Sequence, residues 1–247
     1  MKPFFKYFGS KYLLAKDYPK PIGVVCESFA GSACYSLFYD VEKAILIDKD
    51  ERVIKIWEYL INVDKDEILN LPNIKPGTSI DDYIWPTEGA KLLASCWVNT
   101  SPFRKTYPSI DKCLKYKWDK KLWGDTVKIR IANQLEKIRN WKAICTDYQQ
   151  VPENVDTLFI DPPYQKEGIA YKYGTKLIDY DQLGEWVKNR NEKLIIVCEQ
   201  DGANWLTWNY KFDNCRRVAR NNRECFGSTE VAYVRTNQTT PNNEFTI

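Results

Sequence analysis

The segment TLFIDPPYQ at 157–165 combines groups that are suited to catalysis. A short apolar run ends at Asp161, which is followed by Pro162, Pro163 and Tyr164. Two consecutive prolines remove two backbone donors and fix two φ angles, so a strand must end here on a stiff backbone. The pattern predicts either an ordinary strand end or a rigid turn that presents a carboxylate, a carbonyl and an aromatic ring.

The chain contains no histidine among its 247 residues. This excludes nucleophilic catalysis by Ser–His or Cys–His pairs, acid–base chemistry by histidine and histidine metal sites. The eight cysteines stand singly, without a C-x-x-C pair, so neither a zinc site nor a compact disulfide framework is predicted. We therefore expect no metal ion, reduced and mostly buried cysteines, and catalysis by carboxylates, lysine, tyrosine or positioning alone.

A second candidate site follows the first predicted strand, in the segment IGVVCESFAGSACYSLF at 22–38. Small residues around Gly31 allow a ligand to approach the backbone closely, and the N-terminus of the next helix points at it. Asp48 lies 17 residues beyond Gly31, at the end of the second strand, where a carboxylate can accept hydrogen bonds from ribose hydroxyls. Because the phosphate fingerprint G-x-G-x-x-G is missing, a nucleoside without phosphates fits better than a dinucleotide. S-adenosylmethionine is the obvious member of that class.

Six short apolar runs predict the strands that hold these two segments. They lie at 22–26, 44–47, 141–145, 157–160, 194–198 and 231–234, and the run at 141–145 is the weakest. Short continuous apolar runs are typical of strands buried on both faces, as in a parallel sheet. Apolar residues at helical spacing predict amphipathic helices after Asp50 and over 127–138. The alternation predicts an α/β protein with an open, largely parallel sheet and right-handed crossovers.

The strand and helix patterns lapse between a helix that ends near Val63 and one that begins near Thr126. We therefore predict an inserted lobe at 85–123 and one catalytic domain formed by 1–84 and 124–247. A chain of 247 residues with 44% apolar content can bury one good core. Its longest apolar runs are too short to cross a bilayer and no signal-peptide region is visible, so a cytoplasmic location without a membrane partner is expected.

Positive charge is concentrated around the predicted insertion. Residues 99–142 contain twelve Lys and Arg against four Asp and Glu, whereas the whole chain carries a net charge of only +3. Cations with interleaved aromatic residues are typical of a phosphate-binding surface, although a solvated lysine-rich face has the same composition. A second basic cluster lies at 216–223. The predicted phosphate contacts are Arg104, Lys105, Lys115, Lys117, Lys120, Lys121, Arg220 and Arg223.

These segments resemble, in the same order, those of the Dam-type DNA adenine-N6 methyltransferases. FFKYFGSKY (4–12) resembles the family segment F-L-K-W-x-G-G-K, and ESFAGSA (27–33) resembles E-P-F-x-G-x-G. TDY (146–148) resembles G-D-F, DPPY matches the catalytic tetrapeptide of the family, and GSTEVAYV (227–234) resembles its closing strand. The similarity covers most of 4–234 outside the insertion. DPPY alone is less specific, because methyltransferases of other substrates carry a similar tetrapeptide.

The resemblance implies a Rossmann-like methyltransferase fold with S-adenosylmethionine as cofactor, S-adenosylhomocysteine as product and no metal. It implies that a flipped adenine donates its amino hydrogens to Asp161 and to the carbonyl of Pro162, and stacks on Tyr164. The nitrogen lone pair, otherwise delocalised into the ring, would then attack the sulfonium methyl, with Pro163 stiffening the turn. The residues implied at the cofactor are Tyr7, Lys11, Glu27, Phe29, Ala30, Gly31, Asp48, Asp147, Tyr148 and Asp161.

The resemblance further implies a monomeric, prokaryotic or phage-encoded protein that binds double-stranded DNA, as in a restriction-modification system. Three positions depart from the family, since Ser28 replaces a proline, Ala33 the second glycine and Tyr7 a tryptophan. SPFRKTYP at 101–108 resembles the target-reading run P-F-G-R-Y but lacks its glycine, so no target sequence is carried over. RNA adenine, cytosine N4, a protein glutamine, or cofactor retention by a non-catalytic nucleic-acid-binding module stay open as alternatives.

Overall fold

The computed structural model describes residues 1–99, 102–109, 111, 122–165, 177–212 and 229–237. Within these residues, seven strands form one sheet. They are β1 (Val25–Ser28), β2 (Ala44–Asp48), β3 (Lys142–Cys145), β4 (Thr157–Ile160), β5 (Leu194–Gln200), β6 (Tyr210–Phe212) and β7 (Glu230–Thr236). The described helices are α1 (Cys34–Phe38), α2 (Glu51–Asn62), α3 (Lys65–Asn70), α4 (Glu88–Ser95), α5 (Asp125–Ala132) and α6 (Tyr180–Lys188).

The strand order across the sheet is β3-β2-β1-β4-β5-β7-β6. Neighbouring strands from β3 to β5 are parallel, whereas β7 runs antiparallel to both β5 and β6. Five parallel strands in the order 3-2-1-4-5 are the arrangement of nucleotide-binding α/β sheets. With one reversed strand inserted next to the edge, this is the Rossmann-like methyltransferase fold. The predicted fold class is therefore confirmed.

All six predicted strands are present, but the first is displaced and a seventh was missed. The run at 22–26 becomes a strand only at Val25, because Gly23 has a φ of +54° and Val24 N donates to Asp156 Oδ2 at 2.9 Å. A Cβ on Gly23 would lie 2.0 Å from the same carboxylate oxygen, so this turn requires glycine. Strand β6 is a mostly exposed edge strand without an apolar run, which is why periodicity did not reveal it.

The predicted helix after Asp50 is α2, and Asp50 is its N-cap. The Asp50 carboxylate accepts from Arg52 N at 3.1 Å, which satisfies one of the free donors of the first turn. The helix predicted over 127–138 is instead two elements, α5 and a 3-10 turn at Leu135–Ile138. The four residues that define the apolar pattern, Val127, Ile131, Leu135 and Ile138, are all buried, whereas Ile129 is exposed, so the face was identified correctly although the helix is interrupted.

Helices cover both faces of the sheet, as the alternation of side chains along β4 shows. Phe159 belongs to the larger buried cluster, with Trp57 of α2 and Ile131 of α5. Its neighbours Leu158 and Ile160 point to the opposite face, where they join the cluster that contains α6. Of the five described cysteines, which are all free, four are buried as expected and Cys145 is exposed.

The described part of the predicted insertion packs onto the main core. Helix α4 contacts α2, and Trp97, Tyr107 and Trp123 belong to the same buried cluster as Trp57. The remaining positions of the insertion, 100–101, 110 and 112–121, lie outside the described residues, and the division into two domains stays a prediction. No helix in the described part of the chain is long and apolar enough to span a membrane.

The contact between α4 and α2 requires a glycine at position 89. A Cβ there would lie 2.5 Å from the Lys55 carbonyl oxygen and 2.6 Å from Cβ of Tyr59. We expect Gly89→Ala to lower the free energy of unfolding by about 1–3 kcal/mol, because overpacking outweighs the helix propensity that alanine gains. Urea unfolding would measure it. Gly124→Ala is the matched control, since a Cβ on Gly124 meets nothing within 4 Å, and equal losses in both variants would contradict the packing argument.

Candidate active site

The carboxyl ends of β1, β2 and β4 lie side by side, which brings the candidate segments together. The register pairs Ser28 with Ile47 and Glu27 with Phe159, so Phe29, Asp48 and Asp161 follow adjacent strand ends. In open parallel sheets, ligands bind beyond these ends. Two clefts are present there, one of about 740 Å³ and one of about 350 Å³.

The two clefts together contain every residue that the resemblance implied at the cofactor. The larger is lined by Tyr7, Phe29, Asp48, Asp147, Tyr148 and Asp161 among others. The smaller is lined by Tyr7, Lys11, Glu27, Phe29, Ala30, Gly31 and Asp161 among others. Because Tyr7, Phe29 and Asp161 line both, the clefts are two parts of one site. The structure thus places the predicted residues together, while their role as cofactor ligands stays a prediction.

The turn after β1 is fixed by hydrogen bonds from two other elements. Gly31 has a φ of +46°, and its N–H donates to Asp48 Oδ2 at 2.9 Å. Its carbonyl accepts from the indole of Trp57 at 2.8 Å, and a Cβ on it would lie 2.8 Å from the Tyr7 ring. Ala33, at the family's second glycine position, also has positive φ, at 47°, a conformation disfavoured for alanine.

Asp48 both closes this turn and faces the larger cleft. Its second oxygen, Oδ1, accepts from Asp50 N at 2.8 Å. Burial raises the pKa of the Asp48 carboxyl to about 6, although the backbone donors of Asp50 and Gly31 oppose that shift. Asp48 is therefore an oriented acceptor that is still available to a ligand through its remaining lone pairs.

Aromatic rings and an ion pair also line the larger cleft. The rings of Phe29 and Tyr148 stack with centroids 5.4 Å apart and planes inclined by 22°. Beside them, Lys49 Nζ lies 3.3 Å from Asp147 Oδ2. A flat apolar surface next to hydrogen-bonding groups suits a planar heterocycle such as a nucleobase.

A buried cluster of charges lies where the two clefts meet. Lys11, only 6% exposed, places its Nζ 2.9 Å from Asp161 Oδ1 and 4.0 Å from Glu230 Oε1. The same ammonium donates to the Gly9 carbonyl at 3.0 Å and lies 4.6 Å from the centre of the Tyr164 ring. This arrangement holds one cation against both the carboxylate and the aromatic ring of the DPPY segment.

The electrostatic balance at Asp161 results from opposing neighbours. Burial raises the pKa of its carboxyl to about 6, Lys11 opposes the shift, and Glu230 and Glu199 add to it. Glu230 is itself buried and accepts from the Tyr18 hydroxyl. Sequence reasoning assigned no role to Tyr18, Glu199 or Glu230. The signal that could have found the two glutamates is an acid at the end of an otherwise apolar strand.

The DPPY turn is held from both sides by hydrogen bonds. The Tyr180 hydroxyl donates to the Pro163 carbonyl at 2.5 Å, and Gln165 N donates to Glu199 Oε2 at 3.2 Å. The Tyr164 hydroxyl is buried, and no described residue meets it in hydrogen-bond geometry, but Glu230 lies close enough to contribute to its pKa. Its pKa is raised well above the ordinary value, first by burial and then by the charge of Asp161. A phenol in this state is a poor general base, whereas its ring remains a stacking surface.

Only two of the predicted phosphate contacts are among the described residues. Arg104 and Lys105 are exposed, and Lys105 Nζ lies 3.0 Å from Asp81 Oδ2, so part of its charge is already paired. Next to them, the Phe103 ring contacts the Tyr7 ring, with centroids 6.1 Å apart, at the rim of the clefts. Lys115, Lys117, Lys120, Lys121, Arg220 and Arg223 lie outside the described residues. Within the described residues, no group of three His, Cys, Asp or Glu side chains could hold a metal ion.

The sequence matches no protein-family profile and no curated protein. Among solved structures, the proposed methyltransferase yhhF from Escherichia coli is similar at 12% identity and a TM-score of 0.36, over 92% of this chain and 82% of its own. The proposed methylase HI0767 from Haemophilus influenzae is similar at 10% identity and a TM-score of 0.34, over 91% of this chain and 93% of its own. Both likenesses are distant.

Glu27 lines the smaller cleft as a buried acid, and this makes its protonation a test of the site. It is 3% exposed, Oε1 accepts from Ser36 N at 2.7 Å, and burial raises its pKa to about 7. As pH rises from about 4.5 to 7, the unfolded carboxyl ionises first, so the wild type loses stability across that window. Glu27→Gln keeps the acceptor but cannot ionise. We expect its free energy of unfolding to exceed that of the wild type by up to about 3 kcal/mol at pH 8 and to be nearly equal to it at pH 4.

Urea unfolding of both proteins at the two pH values measures this difference. Glu153→Gln is the control, because Glu153 is exposed and its substitution should change little at either pH. A Glu27→Gln variant that is less stable than the wild type at pH 8 would show that the buried carboxylate is held by favourable charge interactions instead.

Proposed function

We propose that this protein transfers a methyl group from S-adenosylmethionine to the N6 amino group of adenine in DNA. The observation that carries the proposal is the position of Asp161 in both clefts, with Lys11 against its carboxylate and the Tyr164 ring beside it. A DPPY turn beside the two clefts can present a target base to a cofactor that is held in them. The resemblance of five ordered segments to Dam-type enzymes supports the same reaction.

The residues of the two clefts fit the parts of S-adenosylmethionine. Asp48, with free lone pairs at the end of β2, would accept from the ribose hydroxyls, and the Phe29–Tyr148 surface would contact the adenine. Glu27 in the smaller cleft would pair with the α-ammonium of the methionine part. When bound, this cofactor supplies a methyl group on a sulfonium. The methyl group is transferred to a nucleophile without its bonding electrons, which stay on the sulfur. No phosphate cradle is required, in agreement with the single-glycine turn.

The amino group of the target base would be recognised by acceptors alone. The Asp161 carboxylate and the Pro162 carbonyl can each accept one N–H, which draws the nitrogen toward tetrahedral geometry and frees its lone pair. The turn is already held in place by its two prolines and by its hydrogen bonds to Tyr180 and Glu199. It therefore need not reorganise when the base binds. When the nitrogen gains a methyl group it must lose one proton, and Asp161, with a pKa of about 6, can receive that proton and release it to water.

Lys11 would keep Asp161 ionised until the base arrives. Its ammonium lies within contact of the carboxylate and of the ring on which the base would stack. When an amino group enters, Lys11 would therefore either move away from the Asp161 carboxylate or stay bound to one of its oxygens while the amino group binds the other. Without a nearby cation, the buried carboxyl would be largely protonated near neutral pH. It would then be a weaker acceptor for the amino N–H and could not receive the proton that the nitrogen loses.

The reaction is tested by incubating the purified protein and labelled cofactor with DNA and RNA, followed by mass spectrometry of the released nucleosides. We expect N6-methyladenine from DNA. Label in RNA, in N4-methylcytosine or in protein would show that DNA adenine is not the substrate and would identify the true one. Cofactor binding without any transfer would favour the non-catalytic nucleic-acid-binding module.

The DPPY segment gives the sharpest catalytic prediction. Asp161→Ala should abolish methyl transfer and leave cofactor binding largely intact, because the amine loses its anionic acceptor. Tyr164→Ala should slow the reaction, whereas Tyr164→Phe should recover most of the rate, since stacking worth roughly 1–3 kcal/mol per base needs a ring and not a hydroxyl. Single-turnover rates at saturating cofactor measure both. A phenylalanine variant as slow as the alanine variant would assign the role to the phenol.

Opposite charges around Asp161 predict opposite shifts of the pH profile. The groups that face Asp161 include Lys11, Glu230, Glu199, Glu27, Tyr164, Tyr18 and Cys198. Lys11→Met removes the cation, so the pKa of Asp161 should rise and the acid limb of the rate should move to higher pH. Glu230→Gln removes an anion and should move that limb to lower pH. Single-turnover rates between pH 5 and about 9 measure this, and a uniform loss at every pH in both variants would indicate a purely structural cluster.

A further inference from the structure

Two cations lie against the ring of Trp97, and one of them, Lys6, directly precedes Tyr7 in the chain. Lys6 Nζ is 4.8 Å and Arg130 Cζ is 4.6 Å from the ring centre. The ring cannot turn away, because its indole N–H donates to the Phe4 carbonyl at 2.8 Å and Trp97 is buried. The indole attracts each cation, but two positive charges gathered at one ring also repel one another.

The guanidinium of Arg130 is poorly satisfied. Its Nε and Nη2 are buried without a hydrogen-bond partner, and no carboxylate among the described residues forms an ion pair with it. Burial lowers its pKa, which is the mark of a cation that lacks a compensating anion. A buried donor without a partner is costly and rare in folded proteins, so these two nitrogens call for an explanation.

A further donor next to Arg130 is in the same condition. Gln134 lies four residues later, about one helical turn away, and its Nε2 is also buried without a partner in the described part of the chain. The amide oxygen of Gln134, Oε1, accepts from Lys2 N at 2.7 Å, which fixes the orientation of the amide. Arg130 and Gln134 thus leave three donor nitrogens without a partner at positions four residues apart, and the acceptor of Gln134 is already occupied by Lys2 N.

An anion with several oxygens would satisfy this region. A guanidinium binds phosphate through two parallel hydrogen bonds, and those bonds are stronger than neutral ones. Arg130 as a residue is only half-buried, although Nε and Nη2 themselves are buried, so a ligand would reach these two nitrogens once the guanidinium turns toward solvent. Lys6 immediately precedes Tyr7, which lines both clefts, so an anion held here would lie close to the proposed target site.

We propose that Arg130, with Gln134 and the neighbouring Lys6, binds a backbone phosphate of the nucleic acid that the site modifies. The identity of the ligand rests on the proposed function, whereas the need for an anion rests on the donors themselves. The site is formed by α5, the turn that follows it and the N-terminal segment, outside the predicted insertion. A contact to the phosphate backbone reads no base, so this site would contribute affinity without sequence preference.

Stability and affinity distinguish this role from a structural one. Arg130→Met keeps an unbranched stem over Trp97 and removes the unpaired charge, so the melting temperature should stay the same or rise. DNA affinity should nevertheless fall about five- to tenfold at 100 mM salt, and the slope of log K against log[salt] should decrease by about 1, as one phosphate contact is lost. Fluorescence anisotropy with a 20-base-pair duplex measures the affinity, and the loss should be equal for duplexes of different sequence.

Arg139→Met is the matched control on the same stretch of chain. Arg139 donates to the carbonyls of Ile61 at 2.6 Å and Val63 at 2.9 Å, so its loss should lower the melting temperature and leave the salt slope unchanged. Arg130→Met with unchanged affinity and slope would overturn the site, as would a wild type whose DNA affinity does not depend on salt. A wild type that binds DNA, loses affinity through Arg130→Met and yet transfers no methyl group would retain the phosphate site and refute the proposed reaction.

Discussion

Asp161 is an acid largely buried at the end of β4, and much of the site follows from that burial. Burial alone would protonate it, so the buried Lys11 ammonium is placed 2.9 Å away. The ammonium in turn needs acceptors, which it finds in the Gly9 carbonyl and, at 4.0 Å, in Glu230. A buried charge brings its own partners with it, and here they come from the N-terminal segment and from the last strand of the sheet.

The sheet supplies the rigidity that such a cluster requires. Parallel β1, β2 and β4 end at one edge, and the antiparallel β7 brings Glu230 to the end of β5, opposite Gln200. The turn after β4 cannot relax, because two prolines limit its backbone and Tyr180 and Glu199 hold its carbonyl and amide groups. Charges whose energies depend on tenths of an ångström are thus attached to the least deformable part of the molecule.

The same site lowers the stability of the fold. The carboxyls of Glu27, Asp48 and Asp161 all have raised pKa values, so each costs free energy when it ionises in the folded chain. The backbone at Ala33 and the unpaired donors of Arg130 add to that cost. Such concentrations of unfavourable local features are typical of functional sites, and the large buried core formed by residues such as Trp57 and Phe159 offsets them.

Local pattern was sufficient for six of the seven described strands, for α2 and for the segments that meet at the clefts, because apolar runs and caps act within a few residues. It was enough to select Asp161, Asp48 and Gly31, whose neighbours in sequence limit the backbone or the approach of a ligand. It could not reveal that Glu230 lies beside Lys11 and accepts from Tyr18, or that Arg130 lies against Trp97 without an anion. Those relations join residues that are 33 to 219 positions apart. Charge pairing and burial depend on distances in space, which only the packing of the whole chain decides.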